Sequence, residues 1–286
     1  MLRYFGYLLI VVTALGLTVA IGLILVGGLV EHVAPRQTVR LTALDVMGTP
    51  DRRPAWLSAM FEDADRNRPL SRIKLVFRLE DGWTAYGWTE QNGLAAIPGP
   101  ARPVGRYAYT VSLPDTDARL DVRTGASLWI RPGNQPVLWV DAAALVGDPA
   151  ASEGPPPAEI EGIREVMKAL AVDRQVVYVV AAETENYARM RRHLETAPVP
   201  AGPAFWVKPG RELRRLSALR EVWPGVGAAV VCSPAIEAAA RQLNVVTWRV
   251  SDAEAARADP AEAVRLWRNV LGRLIRRQGV DSGEQP

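Results

Sequence analysis

The chain has 286 residues, of which 49% are hydrophobic and 23% charged, with a formal net charge of +3. That balance suits a packed protein and excludes a disordered one. The lone Cys232 excludes an intramolecular disulfide framework and any multi-cysteine metal site, and the distant pair His32 and His193 argues against a His-rich metal site or a Ser-His-Asp triad.

The first element is Tyr4 to Val30, which contains no charged residue. A helix needs about 20 apolar residues to cross a bilayer, and this run is too long for the core of a cleavable signal peptide. Residues 1–35 are therefore expected to be an uncleaved transmembrane anchor, which places the protein in the inner cell membrane as a single-pass protein. Arg3 on one side and Arg36 and Arg40 on the other do not orient it.

Residues 36–135 are expected to be all-β. Thr38–Leu44, Arg72–Leu79 and Arg106–Leu113 alternate polar and apolar side chains as half-buried strands do. Asp81-Gly82, Asn92-Gly93, Pro98-Gly99-Pro100 and Pro114-Asp115 mark turns between them. Short strands at this spacing suggest a sandwich. Trp83, Tyr86, Trp88, Tyr107, Tyr109 and Trp129 are assigned to its core and strand pairs. The stretch GWTEQNGLAAI, followed by GRYAYTVSL, resembles the strand rhythm of immunoglobulin-like (Ig-like) modules.

Beyond residue 136 the pattern changes. Apolar runs at Val137–Val140, Val176–Ala181, Phe205–Val207, Ala228–Val231 and Val245–Val250 alternate with helical stretches near 158–171, 184–195, 210–221 and 234–242. This alternation predicts an α/β unit with a parallel sheet covered on both faces. Ligands of such sheets sit beyond the carboxyl ends of the strands, which turns attention to Asp141, to Asn186-Tyr187 and Arg191, to Lys208, and to Cys232-Ser233 with Glu237. The order and rhythm of these strand ends resemble the haloacid dehalogenase-like (HAD-like) phosphohydrolases of the lipin, phosphatidate-phosphatase type. That resemblance implies a three-layer α/β domain over residues 136–286.

The resemblance also implies a set of groups needed together for phosphoryl transfer: a nucleophilic aspartate, a second aspartate as acid/base, a hydroxyl, a lysine, and carboxylates for Mg²⁺. Asp141 matches the nucleophile and Lys208 the lysine, and Glu237 matches a late acidic position loosely. Ala143, Leu145, Val180 and Ser233 stand where an aspartate, a threonine, a hydroxyl and a metal carboxylate are expected. Losing one general acid/base forfeits roughly 10²–10⁴ in rate, so Asp141 and Lys208 are expected to be vestigial, with no catalytic residue, no cofactor, and Asp141 and Glu237 only weak metal candidates.

The last element is a helix from Pro260 to Gln278. Val264, Trp267, Leu271 and Leu274 share one face, and Arg265, Arg268 and Arg276 lie elsewhere. Packing on the α/β unit is the expectation; lying on an anionic lipid surface is the alternative. No nucleic-acid motif accompanies the arginines, so nucleic acid is not expected as a partner.

The expected protein is thus a membrane-anchored, non-catalytic scaffold or accessory subunit that docks on an integral membrane protein complex, with its soluble regions on the cytoplasmic side. One alternative is a membrane-tethered, Mg²⁺-dependent phosphohydrolase using Asp141 and Lys208. The other is a module that binds a phosphorylated ligand through Lys208 and nearby arginines without hydrolysis.

Overall fold

The structure is a computed structural model and describes residues 38–50, 54–114, 122–146 and 160–281. From Val39 onward the chain forms one compact unit.

The first half of that unit holds two sheets. β1 (Val39–Leu44), β3 (Trp56–Asp63), β4 (Arg68–Pro69) and β7 (Leu94–Pro98) form one, in which β3 pairs with each of the other three strands. β2 (Val46–Gly48), β9 (Arg123–Ile130), β8 (Gly105–Ser112), β5 (Lys74–Leu79) and β6 (Thr84–Trp88) form the other, in that spatial order. Alternation supplies the inward faces: Leu41 and Ala43 of β1 and Leu75 and Phe77 of β5 are buried in one shared core. The two predicted Asx-Gly turns close as the chemistry requires. Gly82 and Gly93 adopt φ of +91° and +76°, where a side chain is strained. Asp81 and Asn92 each accept a hydrogen bond from the backbone two residues on.

The second half is built on a parallel sheet in the order β12-β11-β10-β13-β14, comprising β10 (Val137–Asp141), β11 (Gln175–Ala181), β12 (Ala204–Val207), β13 (Val226–Val231) and β14 (Val246–Arg249). Its helices are α1 (Glu161–Leu170), α2 (Thr184–Thr196), α3 (Glu212–Val222), α4 (Pro234–Gln242), α5 (Ala253–Ala258) and α6 (Pro260–Asp281). Odd and even residues of β10 go to opposite cores. Leu138 and Val140 meet α1, α2 and α6, whereas Val137 and Trp139 meet α3 and α4. α6 packs by Ala263, Trp267, Val270 and Leu274 and leaves Arg265, Arg268, Arg273 and Arg276 exposed.

Several expectations need correction. Among the described residues, no helix is long and apolar enough to cross a membrane. The run Tyr4–Val30 lies outside those residues, so neither the transmembrane anchor nor the single-pass, inner-membrane location drawn from it has structural support. The HAD-like three-layer arrangement is not recovered either. Met47 of β2 and Trp129 of β9 fill one core of the parallel sheet, while Leu44 and Met60 enter the other. The flanks of that sheet are therefore closed in part by the β region, not by helices alone, in a strand-rich body of three sheets. Within the β region, β2 runs parallel to β9 and leads directly out of β1, so one continuous segment joins the two sheets. Two assigned core aromatics, Tyr86 and Trp88, are 58% and 61% exposed.

Candidate functional site

Asp141 ends β10 at the carboxyl edge of the parallel sheet, where the sequence placed a nucleophile. Its carboxylate is already occupied. Oδ1 accepts the Ala143 N–H at 3.2 Å and caps the short 3-10 turn Ala142–Ala144. Oδ2 accepts the N–H groups of Cys232 and Ser233 at 3.2 and 2.8 Å and the Cys232 thiol at 3.3 Å. These contacts tie the centre of the sheet to the start of α4. Burial raises the Asp141 carboxyl above its usual range, against the pull of those donors. Burial and the neighbouring Asp141 also push the Cys232 thiol up, away from a reactive thiolate.

The other sequence candidates do not join it. Glu237 on α4 pairs with Arg241 at 2.6 Å and lies 4.0 Å from Arg249. Lys208 follows β12, two strands from β10, or about 10 Å across the sheet at one strand spacing of roughly 4.8 Å. No three His, Cys, Asp or Glu side chains among the described residues converge as a metal site would need. With both Asp141 oxygens filled by donors, the Mg²⁺ of the phosphohydrolase alternative does not fit these residues.

The structure assembles a different site at the seam between the β region and the parallel sheet. The chain bends between β1 and β2 at Asp45, which is buried. Asp45 Oδ1 accepts the Ser127 N–H of β9 and Oδ2 accepts the Ala204 N–H of β12, each at 3.0 Å. Its own N–H donates to the Tyr187 hydroxyl of α2, which donates in turn to the Ala204 carbonyl. Tyr109 donates to the carbonyls of Leu44 and Ser58. One side chain thus holds elements of all three sheets. Burial pushes its carboxyl up, opposed by the Arg191 guanidinium 3.5 Å away.

Arg191 leads out of this cluster into a cavity of about 530 Å³ walled by β1, β9 and α2. Four arginines line it (Arg40, Arg189, Arg191, Arg192) against two glutamates, Glu185 and Glu195. That is an excess of two positive charges, one of them matched behind the wall by Asp45. Each glutamate is shared. Glu185 meets Arg40 at 3.1 Å and Arg189 at 2.5 Å; Glu195 meets Arg191 at 3.2 Å and Arg106 at 3.8 Å. Arg192 makes no ion pair among the described residues and is exposed. A smaller cavity of about 160 Å³, which shares Arg40 and Glu185 with the first, is lined by Asn186 and Lys208, two of the sequence candidates.

Sequence reasoning singled out Arg191 and Tyr187 but missed Arg40, Asp45, Arg189 and Arg192. Part of the signal was local: Glu185, Arg189 and Arg192 recur at helical spacing. The rest was not, because Arg40 and Glu185 are 145 residues apart.

No family model and no curated protein matches the chain. A solved structure described as a β-galactosidase of Bacteroides fragilis is similar over 74% of this chain, with 11% identity and a TM-score of 0.27. The match spans 38% of that protein's length. A likeness at this level carries no argument about the present site.

Proposed function

We propose that this protein is a non-catalytic binding protein whose recognition site is the arginine-walled groove, and that its ligand is anionic. The observation that carries the reading is the charge of the groove. Its glutamates are each shared between two arginines, and the exposed Arg192 has no ion pair among the described residues. A concave surface of one sign concentrates ligands of the other. The non-catalytic part rests on Asp141, whose oxygens hold four donors and structure the sheet edge.

The test is binding of polyglutamate, as a featureless polyanion, followed by calorimetry at low and physiological ionic strength. Binding that weakens with salt and drops at least tenfold in Arg192→Glu is the expected result. Undiminished binding in that variant, or none at low salt, overturns the assignment. In parallel, a generic phosphoester with Mg²⁺ should show no turnover attributable to Asp141. Hydrolysis lost in Asp141→Asn would return the site to the sheet edge.

A further inference from the structure

The groove has a second property besides charge. Among the described residues, β1 is the end strand of its sheet, paired with β3 alone. Leu41 lies opposite Phe61. Phe61 spends its N–H on the Gly93 carbonyl at 2.9 Å, and its C=O accepts the Leu70 N–H at 3.0 Å, both on the side away from β1. Opposite residues of an antiparallel ladder exchange both hydrogen bonds or neither. The N–H and C=O of Leu41 therefore point away from β3, toward the cavity that Leu41 lines. Ala43, two residues on, has the same orientation, and its C=O accepts Arg191 Nη1 at 3.2 Å.

The facing wall repeats the arrangement. On β9, the Ser127 N–H turns from β8 toward Asp45, and its opposite number Ala108 gives its C=O to the Glu80 N–H, away from β9. Gly125, two residues earlier, has the same phase, so its N–H and C=O also face the cavity it lines. β2 covers this edge of β9 only at Leu128–Ile130. Among the described residues, Leu41 and Gly125 thus present two open strand edges to one space, with α2 and its arginines as the third side. Open edges are templates for another strand, and strand addition takes affinity from the main chain and specificity from side chains.

Resting on the reading of the groove as an anion site, we propose that its ligand is an extended acidic peptide segment, which adds as a strand between the open edges of β1 and β9 and sets carboxylates against Arg40, Arg189 and Arg192. Charge complementarity selects this occupant. A basic segment would meet the arginine excess, and a neutral one would leave Arg192 unanswered. A small phosphate-sized anion would use the arginines and leave both edges empty.

The experiment is fluorescence anisotropy of the full chain with a labelled hexapeptide alternating glutamate and valine. Its controls are the same peptide N-methylated at alternate residues, a lysine–valine counterpart, and inorganic phosphate as competitor. The acidic peptide should bind. N-methylation, which deletes the main-chain donors on one edge, should weaken it at least tenfold, and the basic peptide should not bind. Gly125→Pro removes only a cavity-facing N–H, and Arg192→Glu sits on an exposed side chain. Each should weaken binding about tenfold with the urea midpoint unchanged. Equal binding of the N-methylated and unmodified peptides overturns strand addition. Competition by phosphate with no peptide binding also overturns it, while leaving the anion reading standing. Binding of neither probe removes both.

Discussion

Asp45→Asn isolates the joint on which the groove depends. The carboxylate accepts one backbone N–H on each oxygen, from Ser127 and Ala204, and lies 3.5 Å from Arg191. An asparagine offers one oxygen. Whichever way the amide turns, its NH₂ confronts one of the two N–H groups, and a buried donor left without an acceptor costs about 1–3 kcal/mol. Arg191 also loses a counter-charge. Breaking a buried pair outright costs about 3–5 kcal/mol, but Arg191 keeps Glu195 at 3.2 Å and the Ala43 carbonyl. Removing the charge of Asp45 also relieves its desolvation, so the loss stays at the top of the orphaned-donor range, about 3 kcal/mol. With a urea m-value of about 3 kcal/mol/M, at the upper end for small proteins because slope grows with size, the midpoint should fall by about 1 M. The assay is urea unfolding followed by tryptophan fluorescence at neutral pH. A midpoint within about 0.2 M of wild type at equal slope would show that Asp45 does not hold the three sheets together, and the geometry of the groove would need another cause.

Asp141→Asn tests the buried carboxylate through pH. A carboxyl raised by burial contributes stability that is fully present below its unfolded value, about 4, and is lost as pH rises through the raised folded value. The variant does not titrate there, so its stability relative to wild type should improve from about pH 4 toward neutrality, with contributions from other groups cancelling in the difference. A difference independent of pH in parallel urea titrations would refute the assignment. Gly162→Ala tests the contact of α1 with α6. Alanine gains about 1 kcal/mol of helix propensity over glycine, but its Cβ would lie 2.6 Å and 3.0 Å from the two Val264 methyls. A β-branched helical side chain turns away poorly, and overpacking costs about 1–3 kcal/mol. Net destabilisation of about 1 kcal/mol is expected, reversed when Val264→Ala is added, and a stabilised single variant would contradict the contact.

What was legible in the sequence was whatever depends on near neighbours. The alternation of Arg72–Leu79 and the apolar run of Val176–Ala181 became β5 and β11 because side-chain period and burial are local properties. Tyr86 and Trp88 show how the same logic fails. In β6 the aromatic phase faces solvent, because Gly87 must pass close to Ile97 and Phe77. A Cβ there would lie 2.7 Å from Ile97 Cγ2. Size alone marks large side chains as the inward set, whereas proximity between the strands reserves that face for small ones. Asp141 was found by its position after a strand, but its role depends on N–H groups of Cys232 and Ser233, 91 and 92 residues away. Lys208 was likewise assigned to the cleft of Asp141, yet strand order puts β12 at the sheet edge beside the seam.

The seam itself explains why one buried acid and an open edge occur together. β1 belongs to one sheet and β2 to another, so the chain must change sheets between Leu44 and Val46. At that bend the backbone cannot complete both ladders. The Asp45 carboxylate takes the two N–H groups, of Ser127 and Ala204, that adjoining strands present at the gap. Below the bend β2 closes against β9; above it β1 and β9 diverge, and the Leu41 and Gly125 edges stay open. A hydrophobic residue at position 45 would orphan both donors, and a neutral amide could satisfy only one. The carboxylate is therefore required by the change of sheet, and it calls in Arg191 from α2 as its counter-charge. That arginine begins the basic wall, so the crossing that joins the two halves of the unit also gives the groove its sign.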